Sequence, residues 1–295
     1  QNPSAAGDYI FRGFLPVEQQ VEALVRHATR EQGMRRFAVL YPDTAFGQNA
    51  REAFEAEAKK QGASVVKAIA YDSEANSFLD PARKLGSKDY ASDSGEYYRL
   101  KREAERNGSD PSKVVLPPRI DFDAIFIPDS WHRVALVASS LAYEEFAVGN
   151  FRPNRHAQRM PLLGLNALND ARIIEVGGDY IQHAIFVDAF EVHSNAPGVQ
   201  EFVSDHERAL GRKPGVIDAL TWDATRLLGT AVLAGGPDRK AVRDELQAGH
   251  VNSPVAGGDH FGEDREVARR MQVLTISGDR IRPWKPPALT PEGEQ

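Results

Sequence analysis

Residues 35–72, RRFAVLYPDTAFGQNAREAFEAEAKKQGASVVKAIAYD, constrain the fold more than any other stretch. Phe37, Ala38, Val39, Leu40 and Tyr41 form an unbroken apolar run, the pattern of a strand buried on both faces of a parallel sheet. Pro42 to Gly47 ends that run. Ala50, Phe54 and Ala58 then recur every fourth position, on one face of a helix that stops at Gly62. Ser64, Val65 and Val66 start the next strand. Strand, helix and strand in this order predict a βαβ unit. In such sheets ligands bind outside the carboxyl ends of the strands, so a site is expected at that edge.

The same alternation continues along the chain and predicts an α/β fold, a mostly parallel sheet flanked by helices. A helix is expected over 18–32, with Val21, Leu24, Val25 and Ala28 on one face and Gly33 as its stop. Short helices or strands follow at 77–85, 122–129, 132–146, 161–164 and 184–188, with a helix starting at Ala171. From Pro197 the pattern turns helical, over Val199–Leu210, 217–233 and 238–247. A turn-rich stretch comes next, then a hairpin of 271–276 and 280–282 around Gly278 and Asp279. These boundaries suggest a lobe over 8–190, the helical part of a second lobe over 191–260, strands of 261–282 returning to the first lobe, and a disordered Pro-rich tail over 283–295.

Residues 86–118 differ in character. Lys88, Arg99, Lys101, Arg102, Arg106 and Lys113 alternate with Asp89, Asp93, Glu96, Glu103, Glu105 and Asp110, and Arg99–Glu103 and Lys101–Glu105 have helix-pair spacing. Ser94 is a candidate cap and Gly108 a candidate stop. The segment reads as an excursion on the protein surface, either a solvated helix in a long loop or an element that binds a partner.

Composition excludes several function classes. The chain of 295 residues carries a net charge of −6, which argues against a nucleic-acid partner, since phosphate recognition needs a concentrated basic surface. No apolar run approaches the roughly 20 residues that span a bilayer, so the chain is not expected to be membrane-spanning. There is no cysteine, hence no disulfide, thiol nucleophile or Cys-type zinc site. The first residue is Gln1, and the chain reads as a processed or trimmed product.

Chemistry-bearing motifs are sparse. No phosphate loop, G-x-G-x-x-G or G-x-S-x-G motif is present. Asp129, Ser130 and His132 are near neighbours on one turn, which does not give triad geometry. His183 and His193 lie at odd spacing from Asp188, on the opposite face of a regular strand, so no metal ligand set is assigned there. No catalytic residue, metal or cofactor is expected. A binding cleft is better supported: Phe46, then Ser130 and Trp131, then Asn166 follow three strand ends that share one edge. An aromatic wall with a few polar anchors suits a small molecule. The same residues would also fit a packed sheet edge and a capped turn.

Tyr9-Ile10-Phe11-Arg12, then Ala38-Val39-Leu40-Tyr41 with Phe46-Gly47-Gln48, then Asp123-Ala124-Ile125-Phe126 form an ordered set, which continues through Leu163-Gly164, Phe202, Pro214, Trp222-Asp223-Ala224, Gly257 and Phe261-Gly262. In these residues the chain resembles the type I periplasmic binding proteins, of which leucine/isoleucine/valine-binding proteins are the best-known members. The resemblance covers most of the chain. It implies a further lobe-forming segment before Tyr9, so the chain is expected to be one complete lobe plus part of a second. Helix positions Ile217, Leu220, Leu227 and Leu228 are then expected to be partly exposed and to favour self-association. Asn166 falls where amino-acid binders of the family carry an acidic partner for the ligand's amino group, which argues against an amino-acid ligand.

The excursion, Pro117-Pro118-Arg119-Ile120-Asp121 and Pro161-Leu162-Leu163-Gly164 look closest to a neighbouring branch, the lipoprotein activators of penicillin-binding proteins. That likeness implies a non-catalytic module of the cell envelope, periplasmic or anchored at the outer membrane, whose partner is an envelope protein such as a cell-wall synthase. The alternative is the solute-binding component of an ABC transporter or sensor, whose partner is a small polar solute.

Overall fold

The βαβ unit is present, and it sits on one side of a seven-stranded sheet. A computed structural model of the protein describes residues 7–154 and 156–286. In chain order the elements are α1 (Val17–Arg30), β1 (Arg36–Pro42), α2 (Ala45–Lys60), β2 (Ser64–Tyr71), α3 (Leu79–Leu85), α4 (Ser94–Arg106), β3 (Ala124–Phe126) and α5 (Trp131–Tyr143). Then come β4 (Leu162–Gly164), α6 (Arg172–Gly177), β5 (Ile185–Asp188), α7 (Val199–Leu210), α8 (Val216–Gly235) and α9 (Arg239–Ala248). The last four are β6 (Gly258–Phe261), β7 (Val267–Arg269), β8 (Gln272–Ser277) and β9 (Arg280–Pro283).

The sheet order is β2-β1-β3-β4-β5-β8-β9, parallel from β2 to β5 and antiparallel for the two strands at the other end. Its apolar runs are continuous because both faces are covered. Phe37 and Val39 of β1 join Phe126, Leu163 and Val187 in the core beneath α1 and α2. Ala38 and Leu40 point the other way, into the core beneath α3, α5 and α6 with Ile125, Leu162 and Phe186. Phe54 of α2 lies flat on Phe126 of β3, ring centroids 4.2 Å apart.

The 86–118 excursion is held at its foot rather than along its length. Lys88 Nζ and Arg83 Nε both donate to Glu144, each at 2.9 Å, and the Lys88 and Glu144 side chains are fully buried. Burial pushes the Lys88 ammonium below the ordinary lysine range, against the pull of Glu144. Beyond that anchor, α4 buries no residue. Ser94 opens this helix from its first turn instead of capping it; Asp93 holds the cap position. Arg99 pairs with Glu103 as expected, at 3.1 Å, and also with Glu96.

A smaller body packs beside the sheet. Leu15, Ala189 and Phe190 meet Val199, Phe202, Ala219, Leu220 and Val255 in one cluster. Leu227, Val251, Phe261 and Val267 form another, with Phe11 against it. The chain passes between the two bodies before α1, after β5 and before β8.

Three expectations need correction. The segment 261–269 does not return to the sheet: β6 and β7 form a separate two-stranded ribbon, and Phe261 and Val267 pack on Leu227. Residues 8–15 likewise belong with the smaller body, where Phe11 meets Phe261 edge-on and Arg12 pairs with Glu266 at 2.6 Å. Disorder does not begin at Pro283, because the Trp284 amide donates to Val273 and its ring packs on His27, 4.4 Å between centroids. The remainder of that expected tail, from residue 287, lies outside the described residues.

The exposure expected along α8 divides. Leu220 and Leu227 are buried against the clusters just described, whereas Ile217 and Leu228 are 56% and 50% exposed. Trp222, Val232 and Leu233 extend that exposed apolar face.

Candidate functional site

Because β1, β3 and β4 are parallel and adjacent, their carboxyl ends lie side by side, about 4.8 Å per strand. The loops leaving them carry all four predicted residues. The fold therefore puts Phe46, Ser130, Trp131 and Asn166 along one edge, and it gives each a different setting.

Phe46 sits in the first turn of α2, where Thr44 caps the helix by accepting from the Gly47 amide at 3.1 Å. A side chain at position 47 would drive its Cβ to 2.1 Å from the Pro42 carbonyl oxygen, so only glycine lets the loop close over the strand end. The closed loop leaves Phe46 half exposed.

Ser130 occupies the N-cap of α5, yet its side chain makes no capping bond. Its backbone amide donates to the Asp129 carboxylate at 2.7 Å. Trp131, the first residue of α5, is partly buried against the sheet core, so the packing role weighed for it is partly realised. Its outer side is not bare: the Arg172 guanidinium lies 4.7 Å from the ring centroid, a cation–π contact. Asn166 opens a short turn after β4, and its backbone amide donates to Gln20 Oε1 of α1 at 2.9 Å.

Several groups at this edge were not singled out from sequence. Tyr71, at the end of β2, donates its phenol proton to Asp129 Oδ2 at 2.7 Å, and Arg133 Nε donates to the same oxygen at 2.8 Å. Burial, reinforced by the Asp129 charge, raises the Tyr71 phenol well above its ordinary range, so it stays a neutral donor. Arg172 pairs with Asp170 at 2.5 Å, and the Gln48 amide donates to Asp43 at 2.9 Å. At the end of β5, Asp188 is wholly buried and accepts from the Asn169 amide at 2.8 Å and from the Ala189 N–H at 2.7 Å. Burial pushes its pKa up to about 7 despite those bonds.

The polar groups of this edge largely partner one another. Asp129 spends its carboxylate on Tyr71, Arg133 and the Ser130 amide, and no hydrogen bond among the described residues joins Ser130 to His132. Asp129 and Asp170 are paired with Arg133 and Arg172, whereas Asp43 accepts only from the neutral Gln48 amide. The edge thus offers an aromatic surface, an arginine beside it that is paired with Asp170, neutral polar groups and the Asp43 carboxylate. Two cavities, of about 570 and 1130 Å³, lie instead at the opposite edge, lined by strand-start residues such as Arg36, Pro161 and Ile185. No helix among the described residues is long and apolar enough to cross a membrane.

Comparison with known proteins places the fold. The sequence profile described as periplasmic binding protein matches residues 1–90 and 154–280, leaving out most of the charged excursion. No curated protein sequence matches significantly. Among solved structures, the chain is similar to the leucine-binding protein LivK of Thermotoga maritima MSB8, at 15% identity and a TM-score of 0.69, over 96% of this chain and 69% of that one. It is similar to a putative branched-chain amino acid ABC transporter protein of Rhodospirillum rubrum, at 20% identity and TM-score 0.71, over 95% and 69%. A solute-binding protein of an ABC transporter from R. palustris, solved with benzoate, is 17% identical with a TM-score of 0.66, over 95% and 66%. At these identities the likeness shows the fold, an α/β architecture with a mostly parallel sheet flanked by helices.

Proposed function

We infer the function from the family to which the chain belongs, the periplasmic binding proteins. The chain is a non-catalytic, extracytoplasmic solute-binding protein, the recognition component of an ABC transporter or sensor. Its solute contacts the carboxyl edge of the parallel strands at Phe46, Ser130, Trp131 and Asn166. The observation that carries this reading is the Trp131–Arg172 pair set beside a neutral Asn166. An aromatic face with an adjoining guanidinium favours a flat or apolar body whose carboxylate shares Arg172 with Asp170 or displaces it. An ammonium group would find Asp129 and Asp170 already paired with Arg133 and Arg172, which leaves of the three only Asp43, already accepting from the Gln48 amide.

The similar structures include proteins solved with isoleucine, with benzoate and with 3,4-dihydroxybenzoic acid. Those ligands belong to those proteins. They favour solute recognition over contact with a cell-wall synthase, and the activator-lipoprotein reading of the sequence has the weaker support. Ligand-observed NMR with benzoate, 3,4-dihydroxybenzoate, leucine and isoleucine tests the proposal. The aromatic carboxylates are expected to bind saturably and more tightly than either amino acid, with binding weakened roughly tenfold by Trp131→Ala. Preference for the amino acids, or no saturable binding by the aromatic acids, would refute it.

A further inference from the structure

We propose that the smaller body carries a surface site for a divalent transition-metal ion, built by His250, Asp259 and His260. One ligand atom from each residue lies within 4.8 Å of the other two. His250 stands in the loop after α9, and the two others stand on β6. In a regular strand, neighbouring side chains point to opposite faces. Here the pairing of β6 with β7 slips between Gly258 and Phe261, and such a bulge re-aims a side chain. Asp259 and His260 therefore share one side, with His260 Nδ1 only 2.6 Å from Asp259 Oδ1. The loop is tied to the same strand, since the Val251 amide donates to the Asp259 carbonyl at 2.9 Å. That bond brings the His250 ring to 4.8 Å from the His260 ring, centroid to centroid.

The ligand chemistry selects the class of ion. Two imidazoles and one carboxylate suit zinc, nickel, copper or cobalt, whereas magnesium and calcium prefer an all-oxygen shell. With metal–ligand bonds of about 2.1 Å, ligand atoms around one ion stand no more than about 4.2 Å apart. Rotation of the exposed His250 side chain closes the remaining gap. Asp259 serves either as the third ligand or as the group that fixes the His260 ring by holding Nδ1, which leaves Nε2 to bind the ion. The remaining coordination positions open to water, which makes the site exchangeable. A bound ion would clamp the 249–253 loop to the β6–β7 ribbon and would share no residue with the solute edge.

Calorimetric titration of the untagged chain with zinc chloride and with nickel chloride tests the proposal. One ion per chain is expected in the micromolar range, with magnesium chloride giving no heat. His250→Ala, in an exposed loop that leaves the fold intact, should weaken binding about tenfold or more, and His260→Ala should do the same. His183→Ala should leave the affinity unchanged. Absence of zinc and nickel uptake would overturn the site, as would unchanged affinity in the His250→Ala and His260→Ala variants with native circular dichroism.

Discussion

The sheet body and the smaller body use similar apolar helices and cover them differently. In α5, Val134, Ala135, Val137, Ala138, Leu141 and Ala142 are all buried beneath the sheet. In α8, a longer helix, Ala219, Leu220, Leu227 and Ala231 are buried while Ile217, Trp222, Leu228, Val232 and Leu233 face outward. The difference is one of partners rather than of propensity. A helix laid on a sheet has its whole apolar stripe covered, whereas α8 meets α7, α9, the loop around Val251 and Val255, a short ribbon and the passing segment before α1, and these leave part of its stripe bare. Apolar content alone therefore does not say how much of a helix is core.

The sharpest way to break this contrast is to truncate one large residue in each body. Phe54→Ala removes a ring stacked on Phe126 in the sheet core and should cost about 3–5 kcal/mol in chemical denaturation. Asp223→Ala should come next. Its carboxylate accepts from the Val255 and Ala256 amides at 2.9 and 2.8 Å, so its loss orphans buried donors and should cost about 1–3 kcal/mol. If that variant were neutral, the 253–257 loop would not depend on α8.

The pH dependence of stability separates the bodies further. Asp188, at the end of β5, has a folded pKa of about 7, above the ordinary carboxylate value. A raised carboxyl pKa means that the folded state holds its proton more tightly. Its contribution is thus fully present below about pH 4 and is lost as pH rises towards 7. Within that window Asp188 should contribute a fall of up to about 1.4 kcal/mol per pH unit. Asp188→Asn should remove that component from denaturation curves taken between pH 4 and 7. An unchanged profile would place the buried charge elsewhere.

The smallest effect belongs to the exposed face. Leu228→Ser should change folding stability by no more than about 0.5 kcal/mol, while lowering any concentration-dependent association seen by analytical ultracentrifugation. A loss as large as that of Phe54→Ala would show that Leu228 belongs to a core.

Much of this architecture is legible in the sequence because period and punctuation agree there. The apolar run at 37–41, the fourfold spacing of Ala50, Phe54 and Ala58, and the exact span of α7 follow from local pattern. The β6–β7 ribbon does not, since Gly-Asp-His-Phe and Val-Ala-Arg are too short to show alternation and one of them is bulged. At the site, strand-end position is legible, which is why Phe46, Ser130, Trp131 and Asn166 fall on one edge. Their companions are not: Tyr71 reaches Asp129 across 58 positions of sequence, a pairing that only the sheet order creates. Arg172 over Trp131 is likewise a product of α6 packing beside α5.

Solute recognition at the carboxyl edge is the central claim, and the three tryptophans provide its most direct test. Trp131 lies at that edge, Trp222 on the half-covered face of α8, and Trp284 against His27 of α1. In the double variant Trp222→Phe, Trp284→Phe, the emission of Trp131 alone should change saturably as benzoate is added, with the same dissociation constant as the unmodified chain. A saturable response that vanishes in this double variant and persists when Trp131 alone is replaced by Phe would contradict the claim.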